Sequence, residues 1–192
     1  MPAEDATDQE LARRARAGDQ SAFAALVERY QRAAFNFAYR LLGSYDDAAE
    51  AAQQGFVQLY TSLPTLDLSR PLRPWLFRTI RNRCIDLLRQ RRAVSLTAEE
   101  HDEEGEPVAL VEQLADPTPL PAELVERADL QQLLAAAIQR LPPKYRQVVA
   151  LRYTTDLTFA EMAQVLGEPE NTCKIHFHRA KALLRAALRD LI

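Results

Sequence analysis

Hydrophobic residues recur along most of the chain at the spacing of one face of an α-helix, and residues 74–92 show this pattern well. On a helical wheel of about 100° per residue, one side carries apolar positions: Leu76, Ile80, Cys84, Leu87 and Leu88. The opposite side is a narrow stripe of larger polar and aromatic residues: Trp75, Arg78, Asn82, Asp86 and Arg89. The apolar side predicts contact with a core, and the stripe predicts an exposed face.

This exposed stripe has two interpretations. It is either the solvated basic face of an ordinary core helix or a surface for nucleic acid. Arginine side chains supply contacts to phosphate, and an exposed aromatic ring can stack on a base. The residues of this helix alone leave both interpretations open.

The same periodicity predicts three earlier helices, each ending at a glycine or before a proline. They cover about residues 8–17, residues 21–42 and a segment from Ser44 to before Pro64. The stretch Ser-Tyr-Asp-Asp, which begins at Ser44, resembles a capping box. The loop between the third and fourth helices, PTLDLSRPLRP, contains three prolines and lies beside Trp75 in the sequence.

The second half of the chain also has helical periodicity, and no segment alternates in the way a β-strand does. The predicted helices cover about residues 121–140, 143–153, 158–166 and 171–191. Pro143 suits a first helical turn, and Thr-Phe-Ala-Glu at 158–161 is a capping box. The sequence therefore predicts an all-α fold.

The last two predicted helices are joined by Gly-Glu-Pro-Glu, which is the spacing of a helix-turn-helix. On the final helix, a core stripe is predicted at Cys173, Phe177, Ala180, Leu184 and Leu188. The residues predicted to face outward are Asn171, Lys174, Ile175, His178 and Arg179. This segment either enters a DNA groove or is a helical hairpin that binds nothing.

Charge divides the chain into three segments although the net charge is only −3. Residues 1–92 carry 14 Lys/Arg and 11 Asp/Glu, and residues 123–192 carry ten and eight. Residues 93–122 carry eight Asp/Glu, no Lys or Arg and several prolines. This composition predicts two mildly basic helical domains, 1–92 and 122–192, joined by a flexible acidic linker, 93–121.

Several classes of protein are disfavoured by the sequence. No apolar run is long enough to span a membrane and no signal peptide is evident, so membrane insertion is not expected. Cys84 and Cys173 do not have the spacing of a zinc site or a disulfide framework, which favours structural thiols in the reducing cytoplasm. We find no phosphate loop, nucleophile–base set or metal spacing, so no catalytic residue, cofactor or metal is expected.

Three stretches, in this order, resemble the extracytoplasmic-function (ECF) group of bacterial sigma-70-like factors. AGDQSAFAALVERYQRAAFNFAYRLLGSYDDAAEAAQQGFVQLY is similar to the family's core-polymerase-binding helices. RPWLFRTIRNRCIDLLRQRR is similar to its −10 helix, and LPPKYRQVVALRYTTDLTFAEMAQVLGEPENTCKIHFHRAKALLR to its −35 domain. The resemblance implies a factor that binds the β′ and β subunits of core RNA polymerase, recognises promoter DNA at the −10 and −35 elements and helps to melt it.

The resemblance also implies roles for residues at matching positions. Contacts to the −10 element are implied for Leu72, Arg73, Trp75, Arg78, Asn82 and Arg89. The loop 66–72 would receive a base flipped from the non-template strand, which favours strand separation. Contacts to the −35 element are implied for Asn171, Thr172, Lys174, Ile175, His178 and Arg179, and the acidic linker would thread toward the RNA exit path.

For core polymerase, the resemblance implies a binding surface at Asp46, Asp47, Glu50, Gln53, Gln54 and Val57. Two carboxylates of the family pattern are replaced here, by Ala49 and Gln54. On the helical wheel, one stripe carries Glu50, Gln54, Val57 and Thr61. A phosphate on Thr61 (or neighbouring Ser62) would add roughly −1.5 to −2 charge to it. One hypothesis is therefore that a Ser/Thr kinase activates the factor. The alternative is that the remaining carboxylates suffice and Thr61 is an ordinary surface residue.

The final helix departs from the family at Ile175 and His176, where a small polar residue and an arginine are common. This difference indicates either an unusual −35 sequence, with a thymine methyl under Ile175, or drift in a tolerant helix. Other functions remain: a stand-alone helix-turn-helix regulator, or a decoy that holds polymerase without melting DNA. An anti-sigma protein encoded elsewhere is a further expected partner.

Overall fold

The computed structural model describes residues 6–98 and 133–189, and the regular structure within them is entirely helical. The helices of the first half are α1 (Asp8–Arg16), α2 (Gln20–Leu42), α3 (Tyr45–Ser62) and α4 (Leu72–Ala98). Those of the second half are α5 (residues 133–140), α6 (Pro143–Thr154), α7 (Phe159–Leu166) and α8 (Glu170–Arg189). The predicted all-α fold is confirmed.

Local capping groups fix the ends of two helices where the sequence predicts them. α2 ends at Gly43, which adopts a left-handed φ of 69° that favours glycine. α7 begins with a complete capping box, in which the Glu161 N–H donates to Thr158 Oγ1 at 3.2 Å and the Thr158 N–H donates to Glu161 Oε2 at 2.8 Å. Because these capping groups are close in sequence to the helix ends, both boundaries could be predicted from the sequence.

The start of α3 corrects the prediction of a second capping box. The Asp47 N–H donates to Ser44 Oγ at 3.4 Å, which is half of that motif. The Asp47 carboxylate does not return to the backbone of Ser44, because it forms an ion pair with Arg91 of α4. Here a contact between helices replaces the local one.

Helix α4 is longer than predicted. It begins at Leu72 and continues to Ala98, so the first residues of the predicted linker are helical. No glycine or proline interrupts the chain between Arg92 and Ala98, and the helix therefore has no stop signal there. The rest of the predicted linker and positions 121–132 of the predicted fifth helix lie outside the described residues.

The first half packs its four helices around Phe37 and Phe77, whose rings meet edge to face with centroids 5.7 Å apart. The predicted apolar side of α4 lies in this core, where Leu76, Ile80, Cys84 and Leu87 are buried and Leu88 is half-buried. Burial raises the pKa of the Cys84 thiol to about 12, so this cysteine stays a neutral core residue.

The two halves of the chain pack against each other, a feature that the sequence did not predict. Helix α2 contacts α6, and α4 contacts α7. The core around Phe77 continues without a break into the second half, where it includes Leu151 and Met162. A smaller cluster within the second half joins α5, α6 and α8.

Candidate nucleic-acid and polymerase interfaces

The polar stripe of α4 is exposed over most of its length. Arg78, Asn82 and Arg89 are all exposed, as the helical wheel predicts. Arg89 makes a long ion pair with Asp86, with an N–O distance of 3.8 Å between two largely exposed side chains. Such a contact is weak, so these cationic groups remain available to an external anion.

Three residues at the start of α4 are less exposed than the implied contacts to the −10 element require. Leu72 is only 3% exposed and belongs to the core. Trp75 is half-buried and packs against the core with part of its ring, and Arg73 is half-buried as well. The helical wheel could not predict this burial, because it depends on packing against residues distant in sequence.

That loop and the first turns of α4 enclose a cavity of about 420 Å³. Its lining includes Leu66, Asp67, Arg70, Pro71, Trp75 and Arg78. The loop is fixed by Asp67, whose carboxylate accepts hydrogen bonds from the Ser69 hydroxyl at 2.6 Å and the Ser69 N–H at 3.0 Å. The hydroxyl bond is the main reason that the pKa of Asp67 is lowered.

The outward face of α8 agrees with the predicted pattern. The side chains of Asn171, Lys174, Ile175, His178 and Arg179 are exposed, and Thr172 is half-buried. Ile175 keeps 43% of its surface exposed, so an aliphatic side chain lies among the polar residues of this face. α8 is thus the second helix of a helix-turn-helix and presents a mixed cationic and apolar face.

The two histidines of α8 have different environments. His176 is half-buried, with its ring centroid 5.5 Å from that of Tyr145 and its Nδ1 atom 3.2 Å from Glu168 Oε2. His178 is exposed on the outward face. His176 therefore belongs to the packing of the second half and not to the predicted DNA surface.

The exposed face of α3 is less acidic than its sequence indicates. Asp47 forms an ion pair with Arg91, and Glu50 forms one with Arg83, so both carboxylates are used within the first half. Among the carboxylates of α3, Asp46 alone makes no ion pair with any residue that the structure describes. Gln53, Gln54 and Val57 are exposed as expected.

An apolar groove between α2 and α3 was missed in the sequence. It has a volume of about 710 Å³, and its walls include Phe23, Val27 and Phe35 from α2 and Phe56, Val57 and Tyr60 from α3. Val57 and Tyr60 are 49% and 54% exposed. The signal was present in α2, whose apolar residues occupy a second face beside its core stripe.

Thr61 lies on the last turn of α3, next in sequence to Tyr60 of the groove. Its hydroxyl is exposed and donates to the carbonyl oxygens of Val57 and Gln58, each at 3.1 Å. Ser62 is half-buried and its hydroxyl accepts a hydrogen bond from the Gln58 amide at 3.1 Å. Of the two, Thr61 is the more accessible to another protein.

No helix in the described ranges 6–98 and 133–189 is long and apolar enough to cross a membrane. In the same part of the chain, no three His, Cys, Asp or Glu side chains are grouped so as to hold a metal ion.

Comparison with known proteins matches both halves of the chain to sequence families. Residues 26–94 match Sigma-70 region 2, and residues 131–184 match Sigma-70, region 4. The ECF RNA polymerase sigma factor SigW of Bacillus subtilis is 34% identical over 175 residues, which cover 91% of this chain and 92% of that protein.

Two solved structures have similar folds. CnrH, in complex with the cytosolic domain of CnrY, gives a TM-score of 0.69 at 27% identity, covering 95% of this chain and 97% of that one. The sigma factor RpoE of Bartonella quintana, in complex with the anti-sigma factor NepR, gives a TM-score of 0.67 at 19% identity, covering 87% and 96%. The similarity to RpoE is a similarity of fold only.

Proposed function

The chain belongs to the ECF RNA polymerase sigma factors of the sigma-70 family, and from this premise we propose how its surfaces act in transcription initiation. The factor binds core RNA polymerase in the cytoplasm and directs it to promoters with particular −10 and −35 elements. The factor supplies binding energy for the promoter and helps to separate the DNA strands, and it has no catalytic role of its own.

The −10 element is bound by the exposed stripe of α4 together with the cavity beside Trp75. This proposal depends chiefly on one observation: the exposed guanidinium of Arg78 lies at the edge of a cavity of about 420 Å³. Arg78 and Arg89 contact phosphates, and Asn82 is placed to contact a base edge. A base flipped into the cavity next to Trp75 stabilises the separated strand and so favours melting.

The −35 element is bound in the major groove by α8. Lys174 and Arg179 hold phosphates or read guanine, and Asn171 is suited to adenine. The exposed side chain of Ile175 provides an apolar contact for a thymine methyl group. These residues share one face of a helix that follows the tight turn of a helix-turn-helix.

Core polymerase is bound by the face of α3 with the neighbouring apolar groove. Asp46, Gln53 and Gln54 supply polar contacts, and Val57 and Tyr60 supply exposed apolar surface. Because two of the three carboxylates of α3 form internal ion pairs, apolar contact contributes a larger share of the affinity than the sequence implies.

Control of the factor is proposed at the same surface. The shortage of free carboxylates supports a Ser/Thr kinase acting on Thr61, whose exposed hydroxyl would carry a phosphate on the last turn of α3. The alternative is an anti-sigma partner, as in the structure of RpoE with NepR. If an anti-sigma protein controls the factor, the unmodified chain should bind core polymerase tightly when that protein is removed.

The test is to measure the affinity of the unmodified protein for bacterial core RNA polymerase, with Thr61→Ala and Thr61→Glu beside it. Tight binding by all three forms supports the sigma-factor mechanism and excludes the kinase. Weak binding that Thr61→Glu strengthens supports the kinase. If no form binds core and the protein still binds duplex operators, the chain acts as a stand-alone regulator instead.

A further inference from the structure

His176 of α8 faces away from the predicted DNA surface and meets the turn before its own helix. Its Nδ1 atom lies 3.2 Å from Oε2 of Glu168, and both atoms are shielded from solvent. Within residues 6–98 and 133–189, neither atom has another hydrogen-bond partner. Because an unpaired buried polar atom costs free energy, each of the two atoms depends on the other.

A hydrogen bond between these atoms requires a proton on Nδ1, since a carboxylate only accepts. The neutral Nδ1–H tautomer and the imidazolium both provide that proton. Such a bond is directional, whereas the apolar contacts that bury Cys173, Ala180 and Leu184 of α8 are not. His176 therefore restrains rotation of α8 about its own axis in a way that the apolar side of the helix does not.

Glu168 is held in place by the helix before it. Gly167 ends α7 with a left-handed φ of 70°, and its N–H donates to the Ala163 carbonyl oxygen at 2.8 Å. The Glu168 N–H donates to the same oxygen at 3.2 Å. The carboxylate that meets His176 thus belongs to a residue whose backbone is tied to the first helix of the helix-turn-helix.

The imidazole ring of His176 also contacts α6. Its centroid lies 5.5 Å from that of the Tyr145 ring, and the two ring planes are inclined at 78°, which is an edge-to-face arrangement. His176 therefore connects α8 with α6 and, through Glu168, with α7. All three residues belong to the second half of the chain, so these contacts do not require α4.

His176 lies beside the residues proposed to meet the −35 element. It is next in sequence to Ile175 and two residues from Lys174 and His178, all of which are exposed. Contacts to base edges need side chains held within about 0.5 Å of their productive positions. Contacts to phosphates carry no sequence information directly. A small rotation of α8 would therefore reduce affinity for the correct −35 bases more than affinity for DNA in general.

We propose that His176 is a positioning residue, which determines how strongly α8 discriminates between −35 sequences by fixing this helix to Glu168 and Tyr145. The inference rests on the proposed function of α8 at the −35 element. His176 contacts no base itself. It acts through Lys174 and Ile175, because its contacts set the direction in which these side chains approach the DNA.

Two substitutions of similar shape separate the hydrogen bond from simple packing. His176→Asn keeps an N–H donor at the same number of bonds from Cβ as Nδ1, whereas His176→Leu places a methyl group there. We therefore expect the asparagine variant to retain the contact with Glu168 and the leucine variant to lose it. Leucine also favours a helix more than histidine does, and circular dichroism verifies that each variant is folded at the assay temperature.

The measurement is fluorescence anisotropy with holoenzyme reconstituted from the full chain and bacterial core RNA polymerase. One labelled duplex carries a −35 element selected from a random-sequence pool with the wild-type holoenzyme, and the other carries the same bases in scrambled order. The ratio of the two dissociation constants, at one salt concentration, measures the discrimination. We expect this ratio to fall roughly ten-fold in His176→Leu and to stay close to the wild-type value in His176→Asn.

A double-mutant cycle tests whether Glu168 is the partner. Glu168→Leu alone should lower the discrimination ratio as His176→Leu does, and the double variant should be no worse than either single variant. Additive losses would mean that the two residues act separately, which would overturn the proposed contact. Asp156→Leu removes an exposed carboxylate from the same half of the chain and should leave the ratio unchanged.

Arg81 of α4 needs its own control, because it also faces Glu168. Burial lowers the pKa of the Arg81 guanidinium, and the negative charge of Glu168 opposes that shift. Arg81→Gln removes this charge and leaves His176 in place, so it should keep the full discrimination ratio. A loss in Arg81→Gln equal to that in Glu168→Leu would assign the effect of Glu168 to Arg81 and overturn the role of His176.

Loss of discrimination in His176→Leu with recovery in His176→Asn supports the proposal. An unchanged ratio in a folded His176→Leu protein would overturn it, and so would equal losses in both variants, because only His176→Leu lacks the donor. Failure of the proposed function has a different signature. The wild-type holoenzyme would then select no −35 sequence from the pool, and the role of α8 would fail together with its positioning residue.

Discussion

The guanidinium of Arg83 on α4 forms an ion pair with the carboxylate of Glu50 on α3. Glu50 occupies a position where the family resemblance implies a contact to polymerase. The ion pair instead joins two helices of the first half, and the neighbouring Asp47 does the same with Arg91. These carboxylates therefore position α3 and contribute little free charge to a partner.

This relationship predicts a modest effect of Glu50→Gln. Because both side chains of the pair are partly exposed, at 32% and 44%, its loss should lower the free energy of unfolding by less than about 1 kcal/mol. Affinity for core polymerase should change little. Urea unfolding and a core-binding titration measure the two quantities.

The matched control is Asp46→Asn on the same helix, which removes an exposed carboxylate that pairs with none of the residues the structure describes. It should weaken core binding and lower the free energy of unfolding only by the contribution that a first-turn carboxylate makes to its helix, about 0.3–1 kcal/mol. Equal losses of core affinity in Glu50→Gln and Asp46→Asn, at unchanged stability, would mean that Glu50 contacts the polymerase directly.

Gly55 marks the closest approach of α3 to α4. A Cβ atom at this position would overlap Ile80 Cγ1 and lie 3.2 Å from Ile80 Cδ1. Alanine at an open helical position would stabilise the protein by about 1 kcal/mol relative to glycine. At Gly55 we expect the opposite sign, with Gly55→Ala lowering the free energy of unfolding by about 1–3 kcal/mol.

Urea unfolding of Gly55→Ala measures this effect, and Gln54→Ala on the exposed side of the same helix is the control. In an Ile80→Ala background, Gly55→Ala should lower the free energy of unfolding by less than it does in the wild type, which gives a coupling between the two sites in a double-mutant cycle. Stabilisation by Gly55→Ala would show that the two helices are not in close contact.

Asp19 links stability to pH at the start of α2. Hydrogen bonds from the Ser21 hydroxyl, the Arg14 guanidinium and the Ala22 N–H lower the pKa of Asp19 from 3.8 to about 2. The folded state therefore binds fewer protons than the unfolded state between these values. The contribution of the ionised Asp19 carboxylate to the free energy of unfolding is complete above about pH 4, and it is lost as the pH falls to about 2.

Asp19→Asn keeps a capping oxygen and removes the charge. Its free energy of unfolding should be lower than that of the wild type at pH 5–7, and the two should converge near pH 2. Acid titrations of stability at several pH values measure the convergence, with Asp46→Asn as a control. A difference that stays constant down to pH 2 would contradict the lowered pKa.

The helices and the exposed positions of α8 could be predicted because their signals are local. Periodic apolar residues, Gly43 and the Thr158 capping box fix the element bounds, and Lys174 and Ile175 fall on the outward face by spacing alone. The packing of α7 on α4 could not be predicted, because it depends on contacts between residues distant in sequence.

The same reason explains why the surroundings of several predicted site residues could not be predicted. Leu72 is buried and Trp75 is half-buried because both pack against the core, and the helical wheel contains no information about that packing. Asp47 and Glu50 look like free carboxylates until α4 brings Arg91 and Arg83 beside them. Nonlocal packing decides which charges remain available.

The proposed contact between Ile175 and a thymine methyl group can be tested by removing that methyl group from the DNA. If its exposed side chain covers a thymine methyl in the −35 element, replacing that thymine with uracil removes about 0.8 kcal/mol of apolar contact. The wild-type holoenzyme should therefore bind the uracil duplex roughly four-fold more weakly. Ile175→Ala should bind the thymine and uracil duplexes equally. The −35 duplex for this titration is obtained by selection from a random-sequence pool with the wild-type holoenzyme.

Lys174→Ala provides the matched control, because a phosphate contact is insensitive to the base. It should weaken both duplexes equally and reduce the slope of log affinity against log salt by about 1, while keeping the difference between thymine and uracil. Persistence of that difference in Ile175→Ala would assign the methyl contact to another residue of α8. If the difference between the thymine and uracil duplexes disappears in Ile175→Ala and persists in Lys174→Ala, Ile175 is the residue that contacts the thymine methyl group in the −35 element.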